Sequence, residues 1–444
     1  MRDPIPAGPR QPVPGPCLRS TQQQTLVETT VKKTVIAIAL AGIVGIPVAS
    51  AQDKQVQVIH WWTSGGEAAA LQVLKNDLQS QGVQWHDVPI AGGGGAQAMT
   101  TLRARVLAGD PPTASQMLGF DITDWAKQGV LKNLNSLAQK GDWAAKVPKA
   151  LQAFDVYKGN WIAAPIDVHS TNWVWANKAV LAKAGVTSAP TTWNQYIADL
   201  EKVKKAGFIG LAVGGQSWQI ATMFDGVVVS TGGPEFYKKA FIDLDQKALN
   251  SPTMLKAFER MSELHKFVDP NYANRDWNVA TGMVINEKAG FQMMGDWALG
   301  EFNHAKKVPN KDFLCFRTPG TQGTVTYNSD VFVFFDVKDT AAQDQMAEDI
   351  MSPKVQAGFN QLKGAAPAVL GTPAAGFNAC GQKAISDLAY ADKHGTLFGS
   401  MSQGYAVPPA IKNAFYDVIA REFNGEITPQ AAVKQLADAA KAQY

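Results

Sequence analysis

From residue 56 to the C-terminus, short extended runs alternate with helical ones, and no proline-rich or serine-rich linker divides them. Val56-Gln57-Val58-Ile59-His60 reads as a strand. The run 67–81 places Ala70, Leu71, Leu74 and Leu78 at spacings of three and four, the mark of one buried helix face. The same reading gives strands over 83–88, 115–118, 161–165, 174–177, 208–213, 291–294 and 331–335. It gives helices over 96–108, 122–128, 143–154, 179–184, 191–205, 344–351, 353–362, 380–391 and 429–441, with 218–268 mostly helical. Such alternation predicts an α/β fold of layers on parallel sheets. Residues 52–444 also exceed the ~250–300 residues at which a single core stops growing, so two domains are expected. Without a linker, the chain is expected to cross between them more than once.

Lys32-Lys33 precedes the apolar run Thr34 to Pro47, and Ala49-Ser50-Ala51 follows it. A charged start, a short apolar stretch and a small-x-small ending predict a secretory signal peptide over about 31–51, cleaved before Gln52. The run is shorter than the roughly 20 residues that span a bilayer. Residues 1–30 are proline-rich without apolar periodicity, and Val31-Lys32-Lys33 looks like an ordinary signal-peptide start. The true translation start is therefore expected at residue 31.

Charge excludes some functions. Residues 1–51 carry Arg2, Arg10, Arg19, Lys32 and Lys33 against Asp3 and Glu28, which accounts for the whole formal charge of +3. The remainder is neutral, with no electrostatic footprint for nucleic acid or an anionic membrane. Cys17 lies upstream of the cleavage site, leaving Cys315 and Cys380. An even pair sent to an oxidising compartment is usually bridged, so a disulfide is predicted.

The chemistry-bearing segment is His60-Trp61-Trp62-Thr63-Ser64-Gly65-Gly66-Glu67. Two tryptophans at a strand end, a small-residue turn and a carboxylate suit a sugar ring, whose C–H face is apolar and whose hydroxyls need a fixed hydrogen-bonding group. The plain alternative is two core tryptophans beside a turn. Gly92-Gly93-Gly94-Gly95 matches neither G-x-G-x-x-G nor the P-loop pattern and reads as a strand-to-helix connection. Asp167 and Asp296 each stand beside a buried strand, where a turn or a helix cap would also explain them. Trp277 lies in a polar loop, as a lid on a ligand or a plug between helices. Lys363, before Gly364, also suits helix capping. Trp125, Trp143, Trp161, Trp173, Trp175, Trp193 and Trp297 are read as packing residues. No metal-ligand spacing and no G-x-S-x-G elbow occurs, so no metal or cofactor is expected.

These residues, in this order, resemble the periplasmic sugar-binding proteins of ABC importers (extracellular solute-binding family 1), and most closely their glucose-binding members. The likeness runs from about Gln55 to the C-terminus. It is most specific in 60–67, 91–99, 163–169, 290–297, 363–367 and 400–409. It implies a two-lobed type II periplasmic binding protein fold, each lobe a sheet flanked by helices. Three hinge crossovers join the lobes and the ligand cleft lies between them. The N-lobe would comprise 52–163 and 287–326, and the C-lobe 164–286 and 327–444. The resemblance implies that Trp61 and Trp62 border the sugar and that Glu67 accepts from hydroxyls. Gln116, Asp167, Trp277, Asp296, Lys363 and Gln403 would complete the cleft, with Lys363 on the C-lobe side. Similar glucose-binding proteins carry a histidine where this chain has Gln403, and some a lysine where it has Leu118. Glutamine donates and accepts but does not titrate near pH 6. Glucose is thus the first expectation, with mannose, galactose, xylose and a short oligosaccharide open.

The expected role is a periplasmic, monomeric, non-catalytic receptor that delivers a neutral sugar to an ABC permease. The alternative is a periplasmic glycoside hydrolase using Glu67 with Asp296 or Asp167. A receptor for a polyamine or other charged solute is a weaker third. Amino-terminal sequencing of the exported protein is expected to begin at Gln52; a first residue elsewhere overturns the cleavage assignment.

Overall fold

The computed structural model describes residues 54–337 and 340–441. The signal peptide and the start at residue 31 lie outside the described residues. Among these, no helix is long and apolar enough to cross a membrane.

Two sheets carry the buried cores, one cluster on the first and one on either face of the second. The first runs in the order Gln84–Pro89, Gln55–His60, Ala114–Met117, Val331–Phe334, Ala163–Pro165. Its first three strands are parallel, while Val331–Phe334 is antiparallel to both its neighbours. The second runs Phe313–Arg317, Trp173–Asn177, Ala289–Met293, Ile209–Leu211. There Ala289–Met293 is parallel to Ile209–Leu211 and antiparallel to Trp173–Asn177. The sheets are therefore mixed rather than parallel, because strands that return from the other body enter in the opposite direction.

A third sheet, Ala366–Pro367, Asp167–Ser170, Val325–Asn328, Leu397–Gly399, lies on the connecting passages. The chain leaves the first sheet through Asp167–Ser170 and returns to it through Val325–Asn328. It leaves again after helix Pro353–Lys363, by way of Leu397–Gly399, to reach helix Pro409–Phe423. These are the three crossovers of a two-lobed α/β fold, and they explain why no linker is visible in the sequence.

The lobe boundaries need correction. Residues 287–326 belong with the second sheet, since Ala289–Met293 and Phe313–Arg317 both pair with Trp173–Asn177. Residues 331–363 belong with the first. Phe332, Met346, Val355 and Phe359 share one core with Val58, Leu71 and Leu74. The apolar strands 291–294 and 331–335 look alike locally, and only long-range pairing assigns each to a sheet. In the second core, helix Ser217–Tyr237 is buried along most of its length and packs with Phe258, Phe415 and Ile419.

Helix Gly65–Ser80 begins at Ser64, whose hydroxyl accepts from the Glu67 amide while Glu67 reaches back to the Ser64 amide. This reciprocal cap satisfies donors that a helix start leaves unpaired. It also fixes Glu67 directly after the two tryptophans. Leu71, Leu74 and Leu78 are buried, as their spacing requires.

Cys315 and Cys380 form a disulfide between residues 65 apart in sequence. In the chain-entropy model, closing such a loop stabilises by roughly 4 kcal/mol. The Cys315→Ser/Cys380→Ser double variant is expected to lose free energy of that order in equilibrium urea unfolding, and an unchanged midpoint contradicts it.

Candidate functional site

The first sheet presents the carboxyl ends of its parallel strands to the gap between the bodies, where open α/β sheets place ligands. The chain leaves strand Gln55–His60 through Trp61 and Trp62 and turns into helix Gly65–Ser80. Glu67 Oε2 accepts from the Thr63 amide at 3.0 Å and the Ser64 amide at 3.1 Å. The carboxylate is thus locked in place. Burial pushes its pKa up, partly offset by the positive charge of Lys363. Trp62 is 2 % exposed and packs edge-on against Phe332 and tilted on Phe359, with ring centroids 5.7 and 5.2 Å away. Trp61 is only half-buried.

These residues line a cavity enclosing about 140 Å³, and its walls come from both bodies. Trp61, Trp62, Glu67, Asp330 and Lys363 come from the first. Trp218, Trp277, Trp297 and Asn278 come from the second. Trp218 opens helix Ser217–Tyr237, with its ring 6.3 Å from that of Trp297. The ring Nε1 of Trp218 donates to Gln216 at 2.7 Å, and Gln216 in turn donates to Asp276 at 2.6 Å. The glycine loop passes between indoles. A Cβ on Gly94 would stand 3.2 Å from the Trp218 ring, and one on Gly95 3.1 Å from the Trp61 ring. Both glycines also have positive φ, so the run is a close-approach connection.

A buried charge cluster is built into the cavity wall, with His169, Asp330 and Lys363 lining it and Asp167 and Asp296 behind. His169 Nδ1 is 2.5 Å from Asp296, whose other oxygen accepts from the Ser170 amide at 2.9 Å. His169 Nε2 faces Lys363 Nζ at 3.2 Å, Asp167 at 3.4 Å and Asp330 at 3.6 Å. The Asp330 amide donates to Asp167 at 2.8 Å. Gln116 bridges the cluster to the tryptophans: its Nε2 donates to Asp330 at 2.7 Å and its Oε1 accepts from the Trp61 amide at 3.0 Å. Burial works against the charge of His169, but the carboxylates of Asp167 and Asp296 outweigh it and hold the imidazole at about 9. Burial and the neighbouring Asp167 push Asp330 up to about 7. Asp167 stays below the ordinary range, because His169 and Lys363 overcome its own burial.

Asp167, His169 and Asp330 present ligand atoms within 4.8 Å of one another, the one such cluster among the described residues. The Lys363 ammonium beside His169 puts positive charge where a cation would sit, so the group is better satisfied as an ion-pair network.

Residues 62–349 match the family described as bacterial extracellular solute-binding protein. The chain belongs to that family. This solute-binding protein is 56% identical to a probable sugar-binding periplasmic protein of Brucella suis biovar 1, over 94% of its own length and 99% of the relative's. Among solved structures it is similar to a chitin oligosaccharide binding protein, with a TM-score of 0.74 at 20% identity, covering 88% of this chain and 99% of that one. The solute receptor AcbH, described as exclusive for β-D-galactopyranose, gives 0.75 at 17% identity over 88% and 99%. At these identities the two structures speak for the fold alone.

Of the expected site residues, Trp61, Trp62, Glu67, Trp277, Lys363 and Gln403 line the cavity. Gln116, Asp167 and Asp296 do not: they stand one layer back and hold Trp61, Asp330 and His169. Lys363 belongs to the first body rather than the second, because helix Pro353–Lys363 packs on helix Gly65–Ser80. Trp297 packs and also lines the cavity. Trp218, His169, Asn328 and Asp330 were not anticipated. Asp330 carried a usable signal, a polar residue flanking a buried strand as at Asp167. It precedes its strand, and because that strand is antiparallel, its start lies at the carboxyl ends of the neighbours.

The folded chain holds the His169 proton more tightly than the unfolded chain does. This contribution to stability is complete below about pH 6.5 and disappears as pH rises through about 9. Urea unfolding of the native protein is expected to lose more stability between pH 6.5 and 9 than that of His169→Gln. Equal losses refute the assignment.

Proposed function

We propose that this protein is the periplasmic, non-catalytic receptor of a sugar importer. It binds one uncharged sugar between its bodies, glucose ahead of other monosaccharides, and as a monomer delivers it to the membrane permease. The observation that carries this reading is a cavity walled by indoles from both bodies and studded with a few fixed polar groups. A pyranose offers two apolar faces and a rim of hydroxyls, which is the complement of such walls. Trp61 and Trp62 face it from one body, with Trp218, Trp277 and Trp297 across the gap. Contacts from both bodies are what hinge closure requires, since a ligand of equal affinity for open and closed forms shifts nothing.

Lys363 and Gln403 add polar groups to the same walls. With protonated His169 also lining the cavity, a cationic solute would meet like charge. A hydrolase using Glu67 with Asp167 or Asp296 would need both carboxylates bare toward the substrate. Asp296 instead spends both oxygens on His169 and Ser170, and neither aspartate lines the cavity.

In a thermal-shift screen, glucose is expected to raise the melting temperature more than mannose, galactose, xylose or spermidine, by mass action on the folded state. Trp61→Ala is expected to weaken that sugar more than tenfold by calorimetry, if stacking is worth ~1–3 kcal/mol per ring. No shift with any sugar, or turnover of nitrophenyl glycosides that disappears in Glu67→Gln, overturns the reading.

A further inference from the structure

Gln403 shows one polar atom to the cavity, and a chain of hydrogen bonds behind it decides which. Its Nε2 donates to Thr222 Oγ1 at 3.0 Å and to Ser402 Oγ at 3.2 Å, which uses both amide hydrogens. Its Oε1 is bonded to no described residue, although Gln403 is only 7% exposed and lines the cavity. The oxygen is therefore the group left for a solute.

An amide turned end for end exchanges donor for acceptor, so its surroundings must hold it. The hold starts at Asp225, wholly buried on helix Ser217–Tyr237. The Asp225 carboxylate accepts from the Tyr237 hydroxyl at 2.8 Å, from the Ser400 hydroxyl and from the Ser402 amide at 3.3 Å. Burial pushes it up to about 6 against the pull of these donors, so at pH 7.5 it is ionised and only accepts. A hydroxyl has one proton to give. That of Ser400 is spent on Asp225, so the Ser400 oxygen, 3.1 Å from Ser402 Oγ, takes the Ser402 proton. Thr222 spends its own on the Trp218 carbonyl at 2.9 Å. Both hydroxyl oxygens that face Gln403 are left as acceptors, and an NH2 group satisfies both. Turning the amide over would draw the Ser402 and Thr222 protons onto Oε1 and give up two of these four hydrogen bonds.

We propose that Asp225 is a positioning residue for solute recognition: through Ser400 and Ser402 it fixes the Gln403 amide with its oxygen toward the cavity, so this position requires a hydroxyl that donates. The inference rests on the sugar-binding reading above and deepens it. A group that only accepts is refused there, because it would face Oε1 with no proton between them. A carboxylate, a fluorine and a glycosidic oxygen are all of this kind. The hydroxyl read by Gln403 must therefore be free and unoxidised. Asp225 does not line the cavity and acts only through its neighbours.

The test is calorimetry at pH 7.5 with the tightest bound of glucose, mannose, galactose and xylose, and with its monodeoxyfluoro analogues, which keep an acceptor and lose a donor. One analogue is expected to bind the native protein about tenfold more weakly than the parent sugar, and within about twofold of it in Gln403→Leu. Asp225→Leu is expected to weaken the parent sugar about fivefold in the native background and less than about twofold in Gln403→Leu, the coupling of residues in one network. If Asp225→Leu does not fold, Ser402→Ala cuts the same chain and must show the same coupling. Equal losses in both backgrounds make the chain purely structural and overturn the proposal. So does the lack of any fluorine penalty that depends on Gln403. Either result leaves the parent reading standing, whereas binding of none of these sugars overturns both.

Discussion

The buried knot of His169, Lys363, Asp167, Asp296 and Asp330 is the constraint on which the architecture turns. Charge removed from water is tolerated only when it is paired and hydrogen-bonded, and each member here is held by another. Its members arrive from separate places: the connecting strand Asp167–Ser170, the turn after Ala289–Met293, the start of Val331–Phe334 and the end of helix Pro353–Lys363. Satisfying the knot therefore fixes where both sheets end and where the chain crosses between them. It also explains why so polar a group can stand within an otherwise indole-lined wall.

From this centre the geometry passes outward in two steps. Gln116 links Asp330 to the Trp61 amide, so the position of the first tryptophan is referred to the charge cluster. Helix Gly65–Ser80 is capped by Glu67, so the carboxylate beside the tryptophans is held by the same bonds that start the helix. A side chain that caps cannot drift, and a preorganised site loses less entropy when a ligand arrives. The second body repeats the device at Gln403, whose amide donates to Thr222 at 3.0 Å and Ser402 at 3.2 Å, beside the buried carboxylate of Asp225.

Much of this was legible locally. The helix face of Leu71, Leu74 and Leu78, the strand before Trp61 and the pairing of Cys315 with Cys380 follow from spacing, turn residues and compartment. Six of the nine expected site residues do line the cavity. The three that do not are polar residues at strand ends or beside them, and a sequence cannot tell a side chain that faces the gap from one that faces its neighbour. Gln116 alternates with Ser115 and Met117 on a strand buried on both faces, so periodicity gives no direction. The lobe assignment failed for a related reason: strands 291–294 and 331–335 are equally apolar, and which sheet each joins is decided by partners far along the chain.

The sequence by itself determined the elements, the tryptophan-rich turn, the charge balance of residues 52–444 and the family resemblance, because these are read along the chain without knowing which distant residues meet. Only the tertiary structure decided that His169 and Asp330 stand with the tryptophans. Only it showed that Lys363 lies on the same side as Glu67. The reason is topological. With three crossovers, residues 100 to 300 positions apart become neighbours, and no local period records which of them will meet.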